Sequence, residues 1–149
     1  MNEYVLAGIA AGCRKQWGWA RFADASSALS PEPTSASGAS AVCDRRARQL
    51  VALYEKHKVD IVWNGHIHSY ERTWPIRDGK AVEENAPFYM ITGGGGGGLE
   101  DSAPTRPFFQ NNVRHGHHYV MVHINGGTLE LKAYTVDNRL FDYVKLRKP

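Results

Sequence analysis

The sequence predicts an α/β (α+β) fold whose C-terminal part is an antiparallel β-meander, and three observations predict it. First, Ala47, Leu50, Val51 and Tyr54 recur at helical spacing and are followed within a few residues by the apolar run 59–63. A helix passing so directly into a strand apolar on both faces indicates a covered sheet in a layered fold. Second, another apolar run, 87–92, leads into six consecutive glycines, 93–98. Third, Asn125-Gly126-Gly127 separates two strand-like runs, and in the later one Leu129, Leu131 and Ala133 alternate with Glu130, Lys132 and Tyr134. That period of two is the mark of a half-buried antiparallel strand entered through a tight hairpin turn.

The elements follow in order from about residue 44. Before it, residues 14–43 are rich in Ala, Ser and Pro, with no helical or strand period. Such a composition buries too little apolar surface to offset its ordering entropy, so a flexible segment is expected there. The short apolar run near the start has Glu3 as its one charge and no basic residues ahead of it, which argues against a signal peptide. Asp44 is a plausible N-cap for the helix, and Lys56, His57 and Lys58 place positive charge at its C-terminal end. The run 59–63 is the first strand of this region and 87–92 the second. A polar loop is expected over 99–112. The closing strands are expected over 118–124, 128–136 and 140–146, with Asp137-Asn138-Arg139 as the last turn.

Composition excludes several function classes. The 149 residues suit one domain with a real core. The net charge of +3 comes from scattered residues, without the dense basic patch that nucleic-acid binding requires. No apolar run approaches the roughly 20 residues that span a membrane. Cys13 and Cys43 could form one disulfide, and no Cys-x-x-Cys spacing exists for a zinc ribbon. The glycine run lacks a following Gly-Lys-Ser/Thr, so it is no P-loop. It reads instead as a close-packed, mobile loop near a pocket, with Glu100, Asp101 and Arg106 beyond it in reach of a substrate. No Gly-x-Ser-x-Gly elbow is present, which excludes serine hydrolase chemistry of that type.

The chemistry-bearing stretch is 59–72, Val-Asp-Ile-Val-Trp-Asn-Gly-His-Ile-His-Ser-Tyr-Glu-Arg. A strand runs into a turn where His66 and His68, at i and i+2, can face one pocket. Gly65 allows the backbone to bend tightly ahead of them. Two imidazoles are only part of a metal centre, because a catalytic zinc takes three protein ligands and a two-metal site more. His115, His117, His118 and His123 crowd a second stretch. They read as a loop-to-strand junction with partly exposed imidazoles, in preference to supplementary metal or phosphate contacts.

This stretch resembles the last metal-binding motif of the calcineurin-like metallophosphoesterases, and its Tyr70-Glu71-Arg72 ending is similar to the purple acid phosphatase branch. The resemblance continues through Phe88-Tyr89-Met90-Ile91-Thr92-Gly93-Gly94, through 118–122 and 129–134, and into Asn138-Arg139-Leu140-Phe141-Asp142. It implies the C-terminal half of a four-layer α/β/β/α sandwich. It also implies a phosphomonoester substrate and a centre of two metal ions (Fe, Zn or Mn) holding a hydroxide that attacks phosphorus. His66 and His68 would each ligate one ion, and Asn64, Gly65, Tyr70, Glu71 and Arg72 would serve as substrate-loop or supporting residues. Ligation needs neutral imidazole, so such a site would weaken in acid. Intact members of the family are often secreted or periplasmic.

The family's Asp-x-His, Gly-Asp-x-x-Asp or Gly-Asp-x-x-Tyr, and Asn-His-Glu motifs do not occur in these residues. The expectation is therefore a partial domain over 44–149. Residues 1–43 are expected to be disordered or non-native, as a frameshift or mis-called start would leave them. The function expected from the resemblance is metal-dependent phosphoester hydrolysis with an incomplete site and no catalytic residue assigned. The alternative is a non-catalytic remnant or a binding or oligomerisation domain. Half of a two-sheet sandwich would expose an inner face and an unpaired edge, so self-association is expected as well.

Overall fold

A computed structural model describes residues 6–9, 45–65, 67–99 and 108–148, with backbone alone for 6–9 and 45–49. The first elements are β1 (Leu6–Ile9), α1 (Arg45–Lys56), β2 (Ile61–Asn64) and β3 (Tyr70–Thr73). A small hairpin follows, β4 (Ile76–Arg77) and β5 (Lys80–Ala81), then β6 (Phe88–Thr92) and β7 (Gln110–Arg114). The last three strands are β8 (His118–Asn125), β9 (Thr128–Thr135) and β10 (Leu140–Arg147). No helix among the described residues is long and apolar enough to cross a membrane.

The helix ends as its carbonyls demand. Lys58 takes a left-handed φ of 51°, its N–H donates to the Glu55 carbonyl, and the Val59 N–H reaches back to Tyr54. This is a Schellman cap made without glycine, and Val59 enters an apolar cluster against which Tyr54 packs. It corrects the first strand's expected start. Val59 belongs to the cap, so pairing begins at Ile61.

Five strands form a mixed sheet in the order β1-β2-β6-β3-β7, parallel through β1, β2 and β6 and antiparallel through β3 and β7. One face buries Val59, Val62, Ile76, Tyr89 and Phe109 with Tyr54 of the helix. The other face presents Ile61, Tyr70, Phe88 and Met90 to Leu129, Leu131 and Ala133 of β9. The three-stranded meander β10-β9-β8 is thus a second sheet laid on the first, giving helix, sheet and sheet as successive layers. The expected alternation in β9 holds, with Leu129, Leu131 and Ala133 fully buried. Replacing Leu131 with Ala should cost about 2–5 kcal/mol, the range for a buried Leu truncation, and urea unfolding of the two proteins measures it.

Three strands depart from the expected layout. Residues 70–73, which follow the histidine turn, form an interior strand between β6 and β7. Residues 110–114 fall largely within the expected polar loop, yet they pair along β3. Within the segment 1–43, residues 6–9 pair in parallel with β2, from Leu6 opposite Ile61 to Ile9 opposite Asn64. Their apolar sequence suits the exposed edge that β2 would otherwise present. The rest of that segment, Cys13 and Cys43 included, lies outside the described residues, as do Asp44, Glu100, Asp101 and Arg106.

Candidate metal centre

The histidine turn connects β2 to β3 at the edge of the glycine run. Asn64, the last residue of β2, is buried, and its amide donates to the Met90 carbonyl at 3.1 Å. Its Oδ1 is buried without a hydrogen-bond partner. Gly65 meets nothing where a Cβ would stand, so space does not require glycine there. His66 lies outside the described residues. Ile67 and Ser69 are buried, and His68 is partly exposed between them.

His68 is oriented by the glycines. Its Nδ1 lies 2.5 Å from the carbonyl oxygen of Gly98. A carbonyl only accepts, so Nδ1 carries the hydrogen, and in the neutral ring Nε2 then holds the lone pair. That is the tautomer and the kind of partner that metal-ligating histidines use. Gly97 covers the ring so closely that a Cβ there would stand 2.3 Å from its Cε1. At Gly93 a Cβ would lie 1.9 Å from the Ile67 carbonyl oxygen, and the Gly93 N–H donates to the Ser69 carbonyl at 3.2 Å. Gly95, Gly96 and Gly98 face open space. The run is therefore close-packed at defined points against the histidine turn.

Tyr70, Glu71 and Arg72 sit in β3, with alternate side chains on opposite faces of the sheet. Glu71 accepts from Gln110 at 3.1 Å and from Ser69 at 3.4 Å. Tyr70 and Arg72 face the meander and converge on Asp142 of β10. The Tyr70 hydroxyl donates at 2.6 Å, and the Arg72 guanidinium donates through two nitrogens, at 2.6 and 2.9 Å. Arg72 also donates to Asn111 at 2.8 Å. Burial alone would raise the Asp142 carboxyl, but the bonds from Arg72 and Tyr70 outweigh it and hold the group below the usual carboxylate value. Burial and the same carboxylate push the Tyr70 hydroxyl well above the ordinary tyrosine range.

His118 is the largest departure at the second histidine stretch. It is 6% exposed, although its position after a loop suggests a partly exposed ring. Its Nδ1 lies 3.0 Å from the Gly116 carbonyl, its ring stands edge-on to Tyr70 at 5.3 Å, and its Nε2 is buried without a partner. His115, His117 and His123 are exposed. Asp142 and His118 are thus the residues about the turn whose roles sequence reasoning missed. The available signal for Asp142 was an acidic residue set between Leu140-Phe141 and Tyr143-Val144, the apolar opening of its strand.

Do these residues fit a metal centre? The ring chemistry of His68 fits a ligand. Among the described residues, however, no group of three or more His, Cys, Asp and Glu side chains comes together. The described donors do not amount to a two-ion site, which would need others.

No protein-family model matches the chain. It is similar to a nucleotide pyrophosphatase/phosphodiesterase of Hordeum vulgare, 29% identical over 105 residues, which are 64% of this chain and 26% of that protein. It is 31% identical over 105 residues to probable inactive purple acid phosphatase 1 of Arabidopsis thaliana, covering 64% of this chain and 16% of that one. Among solved structures, a purple acid phosphatase from yellow lupin (Lupinus luteus) seeds superposes with a TM-score of 0.62 and 28% identity, over 66% of this chain and 19% of that one. The chain spans about a quarter or less of the length of these relatives.

Proposed function

Because this chain is a purple acid phosphatase-like metallophosphoesterase sequence that matches one part of its relatives, we propose that it carries the histidine-turn portion of a phosphoester-hydrolysing metal centre. The observation that supports this reading most is the His68 ring, whose Nδ1–H is spent on the Gly98 carbonyl so that Nε2 is left to ligate. His68 would hold one ion, and His66 is its proposed companion on the other. A metal pair of this kind, when bound, supplies Lewis acidity for attack on a phosphoester, whichever of iron, zinc or manganese fills it. The chain's own residues hold the ligand in place: Asn64 ends the strand, Gly93 and Gly97 pack on the turn, and Tyr70, Glu71 and Arg72 anchor the strand that follows.

A second reading is favoured by the relatives themselves. Three of the similar Arabidopsis thaliana proteins carry the words "probable inactive" in their names. In that reading the chain keeps the sheets and the turn for binding or assembly and turns over no phosphoester.

One experiment separates the two. Zinc or manganese is titrated into the full chain by calorimetry, and hydrolysis of an aryl phosphate is followed in the same samples. His68→Ala and His66→Ala should each weaken metal binding by at least the roughly 10–100-fold that loss of an outer-shell partner costs. Hydrolysis lost in both variants supports the enzyme. Binding without hydrolysis supports the second reading, and wild-type binding unaffected by either substitution removes the turn from the metal centre.

A further inference from the structure

A run of six glycines cannot place itself. Each glycine loses more backbone freedom on ordering than any other residue, so the position of residues 93–98 has to come from what they touch. One end is held by the turn, through the Gly93 N–H on the Ser69 carbonyl. The other end meets His68, through the Gly98 carbonyl and the face of Gly97. Between them lies a third contact, and it is made by the meander. The Gly94 carbonyl accepts from the His118 backbone N–H at 3.2 Å and lies 3.2 Å from His117 Nδ1. The His118 ring is so close beneath Gly94 that a Cβ there would lie 2.5 Å from its Nδ1 and 2.9 Å from the Gly116 carbonyl.

The His118 ring cannot yield. It is buried, bonded through Nδ1 to Gly116, and held edge-on between Tyr70 at 5.3 Å and Phe141 at 6.2 Å. Tyr70 in turn is fixed through its hydroxyl to Asp142. A rigid ring therefore sets the height of a chain segment with no stiffness of its own, and that segment covers and hydrogen-bonds the His68 imidazole.

We propose that His118 is a positioning residue for His68: acting through the glycine loop, it fixes the ring plane of His68 and the tautomer that leaves Nε2 free. The link to catalysis rests on the reading of His68 as a metal ligand, but the positioning itself does not, and it can be observed without metal.

The test is the long-range proton–nitrogen correlation spectrum of the imidazoles in the full, metal-free chain, with His68 assigned by its loss in His68→Ala. The wild type should show His68 in the single Nδ1–H tautomer. His118→Ala removes the support, and Gly94→Ala pushes the loop away from it with an intact ring. Each should convert His68 to a mixture of both tautomers, and zinc affinity should fall by roughly 10–100-fold, the usual effect of losing an outer-shell partner. A change in melting temperature alone would not move the tautomer of a residue in a different loop. If His118→Ala fails to fold, Gly94→Ala decides the matter. An unchanged His68 spectrum in the folded variants overturns the proposal. A shifted tautomer in a chain that binds no zinc upholds it and counts against the metal reading instead.

Discussion

Replacing Asp142 with Asn is expected to destabilise the fold by about 3–5 kcal/mol, the loss seen when one partner of a buried ion pair is removed. The side chains of Arg72 and Asp142 are 12% and 6% exposed, so neither can turn to water. Asp142 accepts from the two Arg72 nitrogens, the Tyr70 hydroxyl and the Tyr143 N–H. Asparagine has nearly the same shape, but its amide group would set donors against the guanidinium and leave that charge buried without a counter-ion. The same carboxylate makes the fold acid-sensitive. Its folded value lies below the ordinary one of about 3.9, so the unfolded chain takes up this proton at a higher pH than the folded chain does. The stability it contributes is complete above the unfolded value and is lost as pH falls through the folded one. Urea unfolding at pH 7 and pH 3 should show a loss in the wild type that is smaller in Asp142→Asn. Equal losses in both would place the acid sensitivity elsewhere.

The second large effect is expected at Gly93. Alanine there would set its methyl carbon 1.9 Å from the Ile67 carbonyl oxygen and 2.7 Å from the carbonyl carbon. Both are backbone atoms of the histidine turn, so no side chain can rotate out of the way. Overpacking of this kind costs typically 1–3 kcal/mol and occasionally more. Displacing Gly93 would add about 1 kcal/mol from its bond to the Ser69 carbonyl. Gly95→Ala is the matched control. It meets nothing within 4 Å and should be neutral or slightly stabilising, because alanine restricts the unfolded chain. Thermal unfolding of the two variants should separate them clearly. Equal melting temperatures would mean that the turn adapts to the methyl group.

The parts of the fold that could be read from the sequence are those where burial and pattern agree. β9 alternates because its alternate residues meet the first sheet. β6 is apolar throughout because it is central and covered on both faces, with Phe88 to Ile91 all buried. β3 and β7 defeat the same reasoning because they satisfy each other with polar groups. Glu71 meets Gln110 and Arg72 meets Asn111, while Tyr70 turns its hydroxyl to Asp142 of β10, so the strands carry no hydrophobic period. The turn that carries His68 was legible as a turn after a strand, since the flanking strand is a local feature. Which glycines touch it was not, because Gly98 and His68 are 30 residues apart in the chain. The burial of His118 was equally hidden, as it depends on Tyr70 from another sheet.

The bond between Tyr70 and Asp142 spans 72 residues, and Lys148 reaches Asp60 across 88. These contacts impose an order on the chain as it is made. β2, β3 and β6 leave the ribosome well before β10, and Ile61, Tyr70, Phe88 and Met90 have no second sheet to cover them until the meander is complete. At about 5–20 residues per second, Tyr70 is synthesised roughly 4–14 s ahead of Asp142. For that interval the nascent chain carries an apolar sheet face and the Arg72 charge that later pairs with Asp142. An apolar face left open over that interval is the kind of surface through which nascent chains aggregate.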